Sequence, residues 1–306
     1  MNHEGKTEKA PAINRLNRAS PAARIAIYAV VGLFALACII PFLFTIIISL
    51  SADASIRQNG YSFFPSQWSL EAYISVFKMG TQLWRSLFNS VFITVVGTFF
   101  SVLICGLYSY ALFRRDYKFR GFFAFFCFFT MLFGGGLAPT VLITQGLLGK
   151  DNYAVLIVPM LVNVFNFIVM RSFFSASVPN ELIEAAHIDG CGEWRTLFQI
   201  VLPVSKPGVA TVALLYMLAI WNEWFIPQLY ITKSAFVPLQ YLLVQMQLNA
   251  QYMAQNSGMP SASVANMPTE SLRMALCVLI VIPISFAYPF FQRYIVKGLT
   301  VGSIKG

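Results

Sequence analysis

The residues best equipped for chemistry in this chain are few, and they sit in apolar surroundings. The tetrad Trp221-Asn222-Glu223-Trp224 sets two indole planes beside an amide and a carboxylate. Asn163 and Asn166 add two more amides, three residues apart and so on one face of a helix. Flat aromatic rings stack on pyranose faces, and amides and carboxylates exchange hydrogen bonds with hydroxyls, so these six residues are a candidate path for a polyhydroxylated solute. Each Asn is equally compatible with an interhelical packing bond of ~0.6–2 kcal/mol, and each Trp with an anchor at a lipid–water boundary. Glu223 fits packing less well. An acidic residue at mid-helix costs ~2.5–3.5 kcal/mol to insert into lipid, so it is expected to face a cavity or another subunit.

Other chemistry is missing. The only histidines are His3 and His187, too few for a His, Cys or carboxylate cluster at one depth. The five cysteines (Cys38, Cys105, Cys127, Cys191 and Cys277) contain no CxxC pair, and four lie in apolar stretches, as inert buried thiols do. No GxxxxGK[ST] loop occurs, and Gly149-Lys150 lacks both the upstream Gly and the following Ser or Thr. The sequence thus offers no metal site, no cofactor and no catalytic centre. The chain is expected to be non-catalytic and to take any energy from a partner.

The elements that position these residues follow from composition. The 306 residues are 58% hydrophobic and 11% charged, whereas a soluble domain carries about 25% charged residues. Lipid is the solvent that suits such a chain, and the expectation is an all-α integral membrane protein. Six spans are predicted, at 25–50, 87–113, 122–143, 153–174, 208–231 and 272–291, each long enough for a ~30 Å hydrocarbon core. The runs are continuous rather than alternating, which excludes barrel strands. The first span is too long for a signal-peptide core, and Pro41 is expected to kink it. Gly134, Gly135, Gly136 and Pro139 are expected to bend or unwind the third span, at a depth comparable to the two amides and the tetrad.

Charge sets the orientation. The net charge of +9 is read as a topology signal rather than as a sign of nucleic acid. Fifteen Lys and Arg fall in the 1–24 tail, the 113–120 loop, the 171–207 segment and the C-terminal end, against six on the other side. Both termini are therefore expected in the cytosol, the tail as a separate polar region ahead of a single bundle. On the outer side, Trp68, Tyr73 and Trp84 of the 51–86 loop are expected at the membrane interface. The 232–271 loop, rich in Gln, Asn, Ser and Met, is a candidate contact for a delivery protein or a passive connection.

The cytosolic segment 175–207 differs in kind. Pro179 suits a helix start, and Gly190 and Gly192 suit its end. A second amphipathic stretch runs to Leu202, and Pro203 and Pro207 are expected to break it before the fifth span. On pattern alone this is an interfacial helix joining two spans. The full string Glu184-Ala185-Ala186-His-Ile-Asp189-Gly190-Cys-Gly192, followed by Phe198 and Ile-Val-Leu-Pro203, closely resembles the EAA loop of ABC importer permeases.

That resemblance covers nearly the whole chain beyond the tail, and it implies a six-helix type I ABC importer permease fold in a bacterial plasma (inner) membrane. It also implies that Glu184, Ala185, Ala186, Asp189, Gly190 and Gly192 dock a coupling helix into an ATPase subunit. Met131-Leu-Phe-Gly-Gly-Gly-Leu-Ala-Pro139, Met170-Arg-Ser-Phe-Phe174 and Trp221-Asn-Glu-Trp-Phe225 are similar to the MalG-type carbohydrate permeases, in particular the LplC/YtcP-like group. The implied cargo is a sugar or oligosaccharide from a complex polysaccharide. The implied partners are a second homologous permease, two copies of an ABC ATPase and an extracellular solute-binding protein. His187 departs from the commoner Lys or Arg of the loop and is expected to face solvent. Competing classes are a permease for another solute and an ion-coupled secondary transporter. The latter would need paired intramembrane charges or an internal repeat, and Glu223 has no evident intramembrane partner.

Overall fold

The computed structural model describes residues 20–255 and 270–302. Most of the expected tail and part of the 232–271 loop lie outside the described residues. The described chain is helical, with one isolated antiparallel bridge between Ser51 and Trp68.

In chain order, α1 spans Pro21–Ser49, and two short outer helices follow, α2 at Asp53–Asn59 and α3 at Glu71–Lys78. Next come α4 at Thr81–Phe113, α5 at Arg120–Leu132 and α6 at Leu137–Leu148. Then α7 at Tyr153–Ile157 runs on through a tight 3₁₀ turn, and α8 occupies Val164–Ser177. The polar segment forms α9 at Asn180–Ile188, α10 at Glu193–Thr196 and α11 at Leu202–Val204, with a π-helical stretch at Leu197–Val201 between the last two. Finally α12 covers Lys206–Trp221, α13 Phe225–Tyr230, α14 Leu239–Gln255 and α15 Glu270–Gly302.

Three helices are long and apolar enough to cross a membrane unaided: α1, α4 and the Glu270–Gln292 part of α15. The other three crossings are broken pairs, α5 with α6 (117°), α7 with α8 (52°) and the α10–α11 segment with α12 (86°). Six apolar crossings therefore stand if each bent pair is one span; the bends at 133–136 and at Ser205 fall where the glycines and the two prolines are expected to interrupt the chain, and only the bend at 161–163 departs from the continuous helix expected. The glycines at 134–136 leave the helical conformation altogether, and Gly136 has φ +84°. In the fourth crossing Asn163 caps the second half instead of continuing the first, with its side chain accepting from the Asn166 N–H at 3.1 Å. The fifth, expected to run helical to Ile231, stops at Trp221, and a separate turn of helix follows. Pro203 does not end its helix but lies inside α11, and the break comes at Ser205. Helix α1 runs unbroken through Pro41, and its Ser20 cap accepts from the Ala23 N–H at 3.2 Å.

Helix α4 is the centre of the bundle, packed against α12, α8 and α14. Its 33 residues reach ~50 Å, longer than a hydrocarbon core. It can lie close to its neighbours because small and polar residues (Ser90, Thr94, Gly97, Ser101, Cys105 and Ser109) occupy its buried side. Ser109 donates to the Phe167 carbonyl of α8 at 3.0 Å. At the outer end fully buried Asn89 donates to the Ala235 and Val237 carbonyls at 2.9 and 3.2 Å and accepts from Tyr153 Oη at 2.8 Å. Ser90 accepts from the Leu239 N–H at 2.7 Å. These bonds fix the start of α14, which buries Leu239, Tyr241, Leu242, Leu243 and Met246. The first part of the 232–271 loop is thus a packed helix.

Candidate functional site

The polar element at 179–204 is built by its ends. Pro179, extended at φ −62° and ψ 148°, turns the chain into α9. At the other end the Asp189 N–H reaches Ala185 O (3.0 Å), Gly190 N–H reaches His187 O (3.0 Å) and Cys191 N–H reaches Ala186 O (2.9 Å), with Gly190 at φ +76°. This is a glycine-closed helix end, in which orphan carbonyls are satisfied by a left-handed residue. Gly192 does not share that task. At φ −73° it starts α10.

The helix has two faces. Ile183 and Ala186 are buried, and Glu184, Ala185, Ile188, Asp189 and Gly190 are exposed, Ile188 at 86%. Ala186 thus packs inward, although the resemblance groups it with the docking residues. Beyond the bend Trp194 and Phe198 stack at 6.1 Å between ring centres, and both are exposed. An apolar and acidic surface of this kind is unlike a face made only for water.

Beneath it lies a polar cluster that sequence reasoning missed. Arg114, the residue that closes α4, is 8% exposed. Its Nη1 donates to Glu193 Oε2 (2.7 Å) and Tyr110 Oη (3.0 Å), and its Nε donates to Asp116 Oδ1 (2.8 Å). A second bond joins Arg114 Nη2 to the same Asp116 carboxylate. Tyr110 Oη donates to Glu193 Oε2 at 2.6 Å. His187 Nε2 lies 3.2 Å from Arg114 Nη1 and 3.3 Å from Glu193 Oε1. His187 is exposed, as expected, and is also tied into the cluster. The hydrogen bonds from Arg114 hold the Asp116 carboxyl below the usual carboxylate range. The same bonds, Asp116 foremost, raise the guanidinium further above its already high value. The one sequence signal was the Arg114-Arg115-Asp116 run at a span end, where basic residues are ordinarily read as topology alone.

The six path residues divide. Trp221 is 6% exposed and its Nε1 donates to the Ile280 carbonyl at 3.2 Å, joining α12 to α15. Asn166 is buried, and its backbone N–H donates to Asn163 Oδ1 at 3.1 Å. Glu223 Oε1 accepts from the Phe225 and Ile226 N–H groups at 2.7 and 2.9 Å, so its carboxylate satisfies the free amides at the start of α13. Asn163, Asn222 and Trp224 are exposed, with Asn222 Nδ2 donating to Leu218 O at 2.8 Å. Trp221 and Glu223 share a cleft of about 10 Å³ with Ser90, Leu156 and Pro238, a space too small for a sugar. Among the described residues no group of His, Cys, Asp or Glu could hold a metal ion.

Nearby, Asp151 clasps two outer turns. Its Oδ1 accepts from the Thr232 and Lys233 N–H groups (2.6 and 2.8 Å) and its Oδ2 from Thr232 Oγ1 (2.6 Å). The bond from the Thr232 hydroxyl, followed by those from the backbone, holds this carboxyl below its ordinary range.

Known proteins share this architecture. The chain is 38% identical over 280 residues to the polygalacturonan/rhamnogalacturonan transport system permease protein YtcP of Bacillus subtilis, covering 92% of this chain and 97% of that one. It is 40% identical over 268 residues to protein LplC of the same organism, covering 88% and 90%. Among solved structures, a bacterial ABC transporter involved in import of the acidic polysaccharide alginate matches with TM-score 0.77 and 27% identity, over 90% of this chain and 98% of that chain. Residues 84–301 match the model of the binding-protein-dependent transport system inner membrane component. The fold is that of an ABC importer permease, and the chain belongs to the family of binding-protein-dependent transport system inner membrane components.

Proposed function

We propose that this chain is one permease subunit of an ATP-binding-cassette importer that carries an oligosaccharide derived from an acidic plant-type polysaccharide into the cytoplasm. The observation that carries the reading is the exposed face of α9, with Glu184, Ala185, Ile188, Asp189 and Gly190 directed outward beside Trp194. Such a short, capped helix with a buried inner edge suits insertion into a groove on a partner. No phosphate loop occurs in the sequence, so the partner supplies ATP hydrolysis. Two ATPase copies dock at two such helices, one on this chain and one on a related permease. The relatives named for polygalacturonan and alginate support an acidic oligosaccharide as cargo.

The translocation path runs where this chain meets the second permease, since the cleft that Trp221 and Glu223 line is too small for a sugar. Asn163, Asn222 and Trp224 face that path. Asn166, Trp221 and Glu223 shape it from behind by holding α8, α12 and α13 in place. The packed α14 faces an extracellular binding protein. Deletion of Asn249–Ser263 would remove part of α14, including buried Ala250, so point substitutions are the better probe of that contact. The excess of Lys and Arg on one side places both termini in the cytosol.

The test is reconstitution of the chain with its neighbouring permease, ATPase and binding protein in proteoliposomes, supplied with a partial polygalacturonate digest. Uptake that requires both ATP and binding protein supports the proposal. Uptake by the chain alone, or driven by an ion gradient without ATPase, refutes it.

A further inference from the structure

We propose that Arg114 is the positioning residue that links the coupling helix to the core of the pore, acting as a strut through Glu193 and His187. The inference rests on the reading of α9 as the ATPase contact and extends it to how motion leaves that helix. The inner face of α9 is held by only two buried side chains, Ile183 and Ala186, and one of them is small. Apolar contact of that size locates the helix but resists little sideways displacement. Arg114 supplies the direction. Its backbone N–H closes the last turn of α4 on Tyr110 O at 3.1 Å, so the guanidinium sits at the end of the central helix.

From there one planar group reaches Glu193 on α10, lies beside His187 on α9 and is braced by Asp116. A fork of five donors suits this task, and an ammonium group does not. Open hollows of about 270 and 330 Å³ lie on either side of the cluster, and both are lined by Arg114 and Asp116. Displacement of α9 is therefore transmitted chiefly through the charged link and not through a packed wall. Because α4 contacts α8, α12 and α14, a shift delivered at Arg114 reaches the helices that carry the path residues.

The test uses the assembled complex, with the chain's own five cysteines replaced and a reporter Gln228→Cys on exposed α13. The rate at which a water-soluble maleimide labels this site is compared without nucleotide and with ATP plus vanadate. In the parent complex nucleotide changes the rate. Glu193→Gln and Arg114→Gln are expected to reduce that change about fivefold or more, the size of a lost coupling of ordinary strength, while the ATPase still co-purifies. Arg114→Lys is expected to restore part of it. If Arg114→Gln does not accumulate, Glu193→Gln decides, since Glu193 is half-exposed. A complex with Glu193→Gln that shows the full nucleotide-dependent change overturns the strut. No nucleotide effect in the parent complex instead overturns the coupling reading itself.

Discussion

Replacing Gly208 by Ala tests the bundle where it has least room. Gly208 is the third residue of α12, just past the break at Ser205, and it lies against Phe173 of α8. A Cβ placed there falls inside the 3.0 Å that real Cβ atoms keep from both Cβ and Cγ of Phe173, and 3.0 Å from its Cδ1. The Cβ of Phe173 is fixed to its backbone, so a rotamer change cannot relieve the clash. The helices must instead part by several tenths of an ångström, and overpacking of this kind costs ~1–3 kcal/mol.

The assay is the thermal midpoint of the detergent-solubilised complex, followed by size-exclusion chromatography after heating. A fall of about 3–8 °C is expected. Gly97→Ala is the graded comparison. Its Cβ meets the flexible Ile220 Cδ1 at 3.0 Å, so a smaller loss is expected. Gly192→Ala meets nothing within 4 Å at an ordinary φ and should be neutral for stability. An unchanged midpoint for Gly208→Ala would refute the close approach of α12 to α8.

Other perturbations have defined outcomes. Gly190→Ala forces a side chain into the left-handed region at a cost of ~1–2 kcal/mol, and should lower ATPase co-purification while Gly192→Ala does not. Asn89→Ala leaves Tyr153 Oη and two carbonyls without their partner, and a loss of ~2–3 kcal/mol is expected in the same thermal assay. Because the folded Asp151 carboxyl titrates below its ordinary value of 3.8, its contribution is present above that pH and is lost as pH falls through the lower folded value. Hydrogen exchange at the Thr232 and Lys233 amides should therefore stay slow at pH 5–7 and quicken only in stronger acid, and Asp151→Asn should quicken it at every pH.

Sequence patterning located the apolar segments that form the three long helices and the three bent pairs, because continuous hydrophobic runs report lipid burial directly. Hydropathy by itself does not show where the bent pairs break, because it averages over a window and does not register the backbone. The signals were nevertheless present at Gly134–Gly136 and at Ser205 between two prolines. Asn163 and Asn222 were read as polar groups on helix faces, yet both act at helix ends, where short amides cap or back-bond locally. Glu223 shows the same confusion, since the free amides of α13 attract a carboxylate as a cavity would. The helix at Asn180–Ile188 is the most legible part, because its Pro179 and Gly190 limits act over a few positions. The Arg114 cluster joins residues about 80 positions apart, and one-dimensional spacing carries no trace of such a link.

The most direct test of the central claim is cross-linking from Ile188→Cys in membranes that contain the whole transporter, after removal of the native cysteines. The account predicts efficient cross-links from this exposed tip to the nucleotide-hydrolysing subunit, whereas a control cysteine at buried Ile183 gives none. Cross-links from position 188 to lipid alone, in a complex that still contains the ATPase, would contradict it.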